Sequence, residues 1–306
     1  MDQPRIGIIG GTGLGEALSE RGGEAVRIDT PFGRPSSDPI IGPLDDTTVA
    51  FIARHGTGHR FNPSSVPYRA NVWALKQLGV SAILASGATG SLRESIKPGH
   101  LVICDQVIDK TFRRAGTFFE EGVVAHVELA DPFCPRLRSL LAGAAEHAFD
   151  DSEVEVHIGG TYVCMEGPQF STRAESLMHR SWGGDLIGMT CMPEAKLARE
   201  AEICYALVAL VTDYDCWRPH AAGTPDSVLA TVIANLERAT TSAMTLLSES
   251  VGRITEAGDA CGCGRALDLA VWTEPSALKA LDGVNRERLE PLLARYLQQR
   301  GGDGAE

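Results

Sequence analysis

Two aspartates at the end of an apolar run are well placed for acid–base chemistry. In ALVALVTDYDCW (206–217), Asp213 and Asp215 stand one residue apart. Side chains alternate along a strand, so both would face the same side if the extended conformation continues through them. Neighbouring carboxylates repel each other, and the pKa of one rises until it can hold a proton near neutrality. The pair therefore suits general acid catalysis beside hydrogen-bond acceptance, with a solvated turn as the structural alternative.

Three glycine-rich loops that follow predicted strands offer backbone amides to an oxyanion. Their sequences are GIIGGTGLG (7–15), ARHGTGHR (53–60) and ASGATGSLRE (85–94). In the second, Arg54 supplies a permanent planar cation, and His55 can donate to the same anion or transfer a proton. We expect His59 to be structural. The first loop is not a dinucleotide fingerprint, because Glu16 stands where a third glycine is needed. Each loop alone could be a plain turn, but together they favour an anion site.

Groups that could bind an aromatic ring follow two later strands. In CMEGPQFSTRAES, Phe170 could stack on a base or sugar, and Ser171 is a candidate helix N-cap. Glu166 could accept from a sugar hydroxyl or pair with an arginine. In IGMTCMPEA, Met189 and Thr190 end a strand, where methionine would form a pliable apolar wall. Core packing is the alternative for both the phenylalanine and the methionine.

The motifs lie at the ends of short apolar runs that we predict to be buried strands. The predicted strands are 5–10, 48–53, 80–87, 101–108, 161–166, 185–189 and 203–212. Helical patterns alternate with them at 67–78, 135–149, 171–180, 193–202 and 227–250. This alternation predicts an α/β protein. The segment at 251–306 is predicted to contain one further helix, at 285–299, and a frayed polar tail.

The bulk composition favours a soluble, cytoplasmic protein. The chain has 306 residues, 43% of them hydrophobic, and a net charge of −12, which disfavours nucleic acid as a partner. No apolar run is long enough to span a membrane, and we expect neither a signal peptide nor a membrane partner. Eight cysteines in a chain of this length do not form a secreted disulfide framework.

Six motifs in order carry a family resemblance. GGTG, ARHG, the loop with GSLRE, EGPQFSTRAES, MTCMPEA and TDYDCW together resemble the S-methyl-5'-thioadenosine phosphorylases of the trimeric purine nucleoside phosphorylase family. The resemblance covers about 5–245. It implies a single α/β domain at 1–252, whose central mixed, twisted, partly barrel-like sheet is flanked by helices, as in the purine and uridine phosphorylases. Residues 253–306 would be a C-terminal extension with one helix and a flexible tail.

The resemblance implies a glycosyltransferase, specifically a pentosyltransferase. It would convert methylthioadenosine and phosphate to adenine and 5-methylthioribose 1-phosphate, in purine and methionine salvage. No cofactor and no metal would be needed, and the enzyme would be a homotrimer or a hexamer made of two trimers. Alternatives are a phosphorylase of inosine or guanosine, a nucleosidase that hydrolyses its substrate, and a non-catalytic purine nucleoside-binding module.

The resemblance also implies a role for each motif. Phosphate-binding residues would be Thr12, Arg54, His55, Gly87, Ala88 and Thr190. Gly87 stands where the family commonly has threonine, which removes a hydroxyl but keeps the backbone N–H. Asp213 would protonate N7 of the leaving purine, and Asp215 would accept from the 6-amino group of adenine. A 6-oxopurine would instead bring an acceptor towards that carboxylate.

The remaining implied contacts surround the base and the 5' end. The substrate-binding residues would be Phe170, Met189, Asp213, Tyr214, Asp215, Val228, Leu229 and His126, and specificity would depend on Ser171 and Pro225. Val228 and Leu229 would cover the methylthio group, while Pro225 stands where the family often has valine. His126 matches a residue that reaches a neighbouring subunit's site, which implies a trimer.

The cysteines near the C-terminus differ from those of many relatives. A lone CxC at Cys261 and Cys263 is weak evidence for a metal, and no His or Cys cluster flanks it. Some thermophilic relatives have disulfides and a CxC near the C-terminus, and by that resemblance Cys134 and Cys204 could pair. We expect reduced thiols, because cytosolic disulfides are uncommon.

Overall fold

A single mixed sheet organises the chain. The structure, a computed structural model, describes residues 3–11, 20–150, 152–218, 225–258 and 261–302, without the side chains of 225–229, 275, 279 and 299–302. Within these ranges the strands are β1 (Ile6–Gly10), β2 (Glu24–Ala25), β3 (Ile40–Leu44), β4 (Thr47–Ala53), β5 (Ala82–Ser91), β6 (Leu101–Ile103), β7 (Gln106–Lys110), β8 (Val156–Ile158), β9 (Thr161–Met165), β10 (Leu186–Gly188) and β11 (Cys204–Tyr214). The helices are α1 (Tyr68–Gln77), α2 (Pro135–Ala148), α3 (Arg173–Ser181), α4 (Cys191–Glu200), α5 (Pro225–Glu256), α6 (Pro275–Lys279) and α7 (Gly283–Gly302).

The strands at the centre of the sheet are parallel and buried on both faces. β1 pairs in parallel with β4 and β5, and β11 pairs in parallel with β5. Neighbouring side chains of β1 therefore enter different cores: Ile9 packs in a cluster with α1, α4 and α7, and Ile8 packs in a cluster with α2 and α5. A strand covered on both faces reads as a continuous apolar run, which is why the runs were recognisable in the sequence. The α/β class with a mixed sheet flanked by helices is confirmed, and the sheet is not closed.

The sheet opens along one edge of β5. On that edge β1 pairs with residues 82–85, and β10 pairs in the antiparallel direction with Gly90 and Ser91. Between these partners, 86–89 pair only with β11 among the described strands. The carboxyl ends of β1, β4 and β5 meet at this opening, and ligands of open α/β sheets bind at such ends.

One predicted strand is divided. The run at 101–108 forms β6, which pairs with β11 and β8, and β7, which pairs with β9. Asp105 stands between the two and accepts a hydrogen bond from the backbone N–H of Gly160 at 2.8 Å. The apolar pattern did not reveal this break, because residues on both sides of it are apolar.

The C-terminal segment packs into the main core. α5 runs past residue 252, and a short 3-10 turn (Cys263–Arg265) and α6 precede α7. The predicted helix at 285–299 lies within α7, whereas α6 and the turn were not expected. Leu289, Leu292 and Tyr296 belong to the same cluster as β1 and β11. A domain boundary near residue 252 stays a prediction. No helix in the described part of the chain is long and apolar enough to cross a membrane.

Candidate active site

A cavity of about 720 Å³ lies at the opening of the sheet. It brings together most of the residues that the sequence singled out, namely Arg54, His55, Gly87, Ala88, Phe170, Met189, Thr190, Asp213 and Asp215. Residues from five separated motifs thus meet in one place. Thr12 lies outside the described residues, as do the side chains of Pro225, Val228 and Leu229.

Arg54 forms the cationic end of the cavity. It follows β4, is 1% exposed, and makes a two-point ion pair with Glu194, through Nε to Oε1 at 2.5 Å and Nη2 to Oε2 at 3.0 Å. Nη1 donates to the backbone carbonyl of Ser86 at 2.7 Å. Burial lowers the pKa of Arg54, but the charge of Glu194 outweighs it and raises that pKa above its usual range. The guanidinium is therefore a fixed cation with its plane held rigid.

The floor beside Arg54 is free of side-chain bulk. A Cβ on Gly87 would lie 3.3 Å from Thr190 Oγ1 and 3.8 Å from Arg54 Nη1. A hydroxyl, a guanidinium and the unpaired edge of β5 therefore converge on one small volume. Hydroxyl, guanidinium and backbone N–H donors together suit a tetrahedral oxyanion.

His55 is held as a neutral imidazole. Its Nδ1 lies 2.8 Å from the carbonyl oxygen of Phe61, which can only accept, so Nδ1 carries the proton. Burial, opposed by that hydrogen bond and assisted by the charge of Arg54, lowers the pKa of His55 from 6.5 to about 4. Nε2 is then an acceptor at neutral pH. The ring stacks on His59, with 4.2 Å between centroids.

The depressed pKa of His55 predicts a loss of stability in mild acid. Unfolded histidine takes up a proton below its ordinary pKa of 6.5, whereas His55 in the folded chain resists until about pH 4. The free energy of unfolding is therefore undiminished by this group above pH 6.5. It falls by up to about 3 kcal/mol as the pH falls towards 4. Urea unfolding at several pH values should show a shallower pH dependence for His55→Gln than for the wild type. His147→Gln, at a side chain 70% exposed, should leave the slope unchanged. Equal slopes for all three proteins would refute the assignment.

The two aspartates form the opposite, acidic part of the cavity lining. Both line it, as alternation along the strand predicts, while Tyr214 between them does not. Asp213 accepts from Thr212 Oγ1 at 2.7 Å. Oδ2 of Asp215 is buried and has no hydrogen-bond partner among the described residues. A buried carboxylate oxygen without a donor is costly, so this atom points to a ligand that brings one. Which of the two carboxyl groups carries a proton stays a prediction.

A glycine lets the aspartates approach β5. A Cβ on Gly90 would lie 3.2 Å from Asp213 Oδ1 and 3.3 Å from Asp215 Cβ. The β11 register also shifts between Val211 and Asp213, so that Asp213 stands opposite Gly90. Bulges commonly redirect side chains next to active sites, and here the bulge and the glycine together fix both carboxylates.

Apolar side chains complete the cavity. Phe170 lines the cavity while remaining 84% exposed, which places it at the mouth, and Met189 also lines the cavity. Val232, Leu236 and Leu247 of α5 close another side. An exposed phenylalanine at a cavity mouth is positioned to stack on a flat ligand.

Three sequence-predicted site residues lie outside the cavity lining. Tyr214 donates its hydroxyl to the Glu94 carbonyl at 3.3 Å. The prediction of Ser171 as the N-cap of α3 is wrong: Thr172 caps it in a capping box with Glu175. Ser171 instead contacts Met165 through Oγ to Sδ at 3.6 Å. His126 packs against Trp272, and its predicted reach into a neighbouring subunit stays a prediction.

Two buried glutamates are partners of arginines, and the sequence suggested this only for Glu166, as an alternative, and not for Glu194. Glu194 is fully buried against Arg54, from which it is 140 residues distant in sequence. Glu166 pairs with Arg114 at 3.3 Å, and it also accepts from Ser64 Oγ and from the N–H of Phe112 at 2.8 Å. Its carboxylate is thus occupied by protein donors, which favours the arginine alternative over a sugar contact. The position of a glutamate in the first turn of α4 was the available signal for Glu194.

Comparisons with known proteins identify the family of the chain. Residues 5–251 match the model of the phosphorylase superfamily. The S-methyl-5'-thioadenosine phosphorylase of Cereibacter sphaeroides is 50% identical over 286 residues, with 91% of this chain and 96% of that protein covered. That of Koribacter versatilis is 46% identical over 302 residues, covering 98% and 99%. A crystal structure of methylthioadenosine phosphorylase from an Antarctic soil metagenomic library superposes with a TM-score of 0.88 at 46% identity, covering 96% of this chain and 100% of that one. The chain therefore belongs to the phosphorylase superfamily, in the family of the S-methyl-5'-thioadenosine phosphorylases.

Proposed function

We propose that the chain catalyses phosphorolysis of S-methyl-5'-thioadenosine to adenine and 5-methylthioribose 1-phosphate, as a pentosyltransferase of purine and methionine salvage. The observation that carries this proposal is one cavity with an anion-binding end at Arg54 and an unsatisfied buried carboxylate at Asp215. Phosphate and an aminopurine are the ligands that match these two ends. The reaction consumes phosphate as a substrate and needs no cofactor, and the cytoplasmic location stays a prediction from the sequence.

Phosphate would bind beside Arg54 and attack the sugar. Nη1 of Arg54, Thr190 Oγ1 and the open edge of β5 at 86–89 supply donors, and neutral His55 offers Nε2 to a protonated phosphate oxygen. Gly87 and Ala88 contribute backbone only. A phosphate oxygen forms a bond to C1' while the bond from C1' to N9 breaks, and its electron pair passes to the purine. The phosphate charge also stabilises the oxocarbenium-like sugar, so positioning and electrostatics act together.

The aspartates would take the charge that leaves with the base. Asp213, as a carboxylic acid, donates a proton to N7, so adenine departs neutral and the aspartate is left ionised. Asp215, as a carboxylate, accepts from the 6-amino group through the oxygen that lacks a protein donor. A 6-oxopurine brings an acceptor to the same place, which costs a repulsive contact. Two carboxylates therefore disfavour inosine and guanosine.

The sugar and its 5' substituent would lie between these ends and α5. Phe170 and Met189 would cover the base, and the predicted contacts of Val228 and Leu229 with the methylthio group are supported by apolar Val232 and Leu236 further along the same helix. Selection by apolar contacts amounts to roughly 1–3 kcal/mol per methylene. Adenosine would accordingly be a poorer substrate rather than an excluded one.

We further propose a homo-oligomer, either a trimer or a hexamer made of two trimers, in which His126 reaches a neighbouring subunit's site. The His126 ring lies edge-on to Trp272, with 5.3 Å between centroids. Trp272 is 72% exposed, and Leu269, three residues earlier in the sequence, is 94% exposed. Apolar side chains this exposed gain free energy when a second copy covers them. The mass in solution tests the proposal, and a monomer would contradict it.

Adenine release from methylthioadenosine, measured with and without phosphate and with inosine in parallel, tests the function. Release that requires phosphate, with little release from inosine, is expected. A preference for inosine would retain the phosphate site and overturn the role of the aspartates. Release without phosphate would identify a hydrolase and remove the role given to Arg54 and His55.

A further inference from the structure

Four cysteines that are far apart in the sequence converge in the structure. Cys134 is the N-cap of α2, Cys204 is the first residue of β11, and Cys261 and Cys263 surround the start of the 3-10 turn. Their four Sγ atoms all lie within 4.8 Å of one another. All four are free thiols. The CxC pair thus has two partners in space that it lacks along the chain.

The spacing of the sulfurs matches a tetrahedral metal site. A zinc ion bound by four thiolates has Zn–S bonds of about 2.3 Å, so its ligand sulfurs lie about 3.8 Å apart. Cys204 Sγ and Cys261 Sγ are 3.2 Å apart, and every other pair falls within the 4.8 Å limit. Cys134, Cys204 and Cys263 are buried and Cys261 is half-buried. The site is therefore closed by protein, as structural zinc sites are.

One of the four sulfurs lies at a helix N-terminus. Cys134 is the N-cap of α2, where the helix dipole stabilises the negative charge of a thiolate ligand.

A nearby arginine has no hydrogen-bond partner for two of its nitrogens. Nε and Nη1 of Arg136 are buried without an acceptor among the described residues. Arg136 stands two residues after Cys134, in the first turn of α2. A zinc ion with four thiolates carries two negative charges, and such sulfurs accept N–H hydrogen bonds. The orphaned nitrogens therefore point to an anionic cluster beside them.

We propose that Cys134, Cys204, Cys261 and Cys263 bind one structural Zn²⁺ ion. Binding replaces the thiol protons, which pass to solvent, and involves no oxidation or reduction. The ion joins the start of the 3-10 turn, through Cys261 and Cys263, to the N-terminus of α2 and to the first residue of β11. This proposal differs from the sequence-based expectation of no metal. Three segments of the chain contribute ligands, and only one of them, the CxC pair, was visible as a motif.

The zinc site is distinct from the cavity. Cys204 and Asp213 stand near opposite ends of β11, and nine strand residues span about 30 Å. Removing the ion should therefore lower the melting temperature and expose the C-terminal segment to protease. The KM for phosphate should stay within about twofold of the value for the zinc-bound protein, since none of the four cysteines lies near Arg54.

Metal analysis of the full-length protein tests the proposal. The protein is made in zinc-supplemented medium and purified anaerobically without chelators. Inductively coupled plasma mass spectrometry should then find about one zinc ion per chain. Cys263→Ser should bind zinc at least roughly tenfold more weakly and retain less of it through purification, since changing a group that merely supports a ligand already costs that much affinity. Cys104→Ala, at a buried cysteine outside the cluster, is the matched control and should retain the metal.

Two results would overturn the proposal. Wild-type protein with little zinc and four titratable thiols at these positions would show an empty cluster. An intact mass two hydrogens lighter per bond would instead show disulfides formed by an oxidant. If Cys263→Ser does not fold, X-ray absorption of the zinc in wild-type protein still decides: four sulfurs at about 2.3 Å are expected, and nitrogen or oxygen ligands would refute the assignment.

Discussion

Replacing Asp213 by asparagine is expected to lower kcat for adenine release from methylthioadenosine by roughly 10²–10⁴-fold, the usual contribution of a general acid. Asparagine keeps the shape of the side chain but has no acidic proton to give to N7. It also presents an amide that can donate to a 6-oxo group. The loss should therefore be smaller for inosine, and the low inosine activity could even rise.

The matched control for this variant is the neighbouring Tyr214→Phe. The Tyr214 side chain leaves the cavity and bonds the Glu94 carbonyl, so its hydroxyl is outside the reaction. Steady-state kinetics on both nucleosides should show near wild-type values for it. Equal losses on methylthioadenosine and inosine in Asp213→Asn would contradict base recognition by the aspartate and indicate a general structural defect.

Glu194→Gln is expected to destabilise the fold by about 3–5 kcal/mol, the range for breaking a buried ion pair. The fully buried carboxylate of Glu194 accepts from Arg54 at two points and from the Tyr205 hydroxyl at 2.9 Å. Glutamine keeps the volume but leaves the guanidinium charge uncompensated in the core. The KM for phosphate should rise as well, because Glu194 fixes the plane of Arg54.

Glu200→Gln on the same helix is the control. Glu200 is also buried, but its partners are the neutral Thr117 hydroxyl and the Phe118 N–H, both at 2.7 Å. Burial raises its pKa to about 7, so a neutral side chain fits there already. Its substitution should cost about 1 kcal/mol or less. Urea unfolding gives the free energy of unfolding of both variants. If the two substitutions lowered it equally, the uncompensated charge of Arg54 would not be the cause of the loss in Glu194→Gln.

The features that could be predicted from the sequence are those that depend on a local pattern, such as alternation of side chains or a short apolar run. Alternation along β11 correctly placed Asp213 and Asp215 on one side, and apolar runs located the strands that carry Arg54 and Gly87. Strand ends bring such residues to one edge whatever the details of packing. The roles of these residues come from the family resemblance and stay predictions.

Features that depend on distant contacts were not predictable. The partner of Arg54 is 140 residues away, and the position of Glu194 in the first turn of α4 does not indicate which cation it meets. The convergence of Cys134 with Cys261 likewise requires the sheet and its helices to be assembled first. The cap of α3 is different, because it is a local feature that the sequence does show: Thr172, and not Ser171, has a glutamate three positions later.

The integration of α7 into the core has a consequence for biosynthesis. α7 supplies part of the wall that covers β1 and β11, yet it is translated long after both strands. At about 5–20 residues per second, the ribosome needs on the order of 10 s to travel from β11 to the end of α7. During that interval α1 and α4 can already pack on the sheet, but the apolar surface that α7 covers is exposed, so the nascent chain is open to aggregation unless a chaperone binds there.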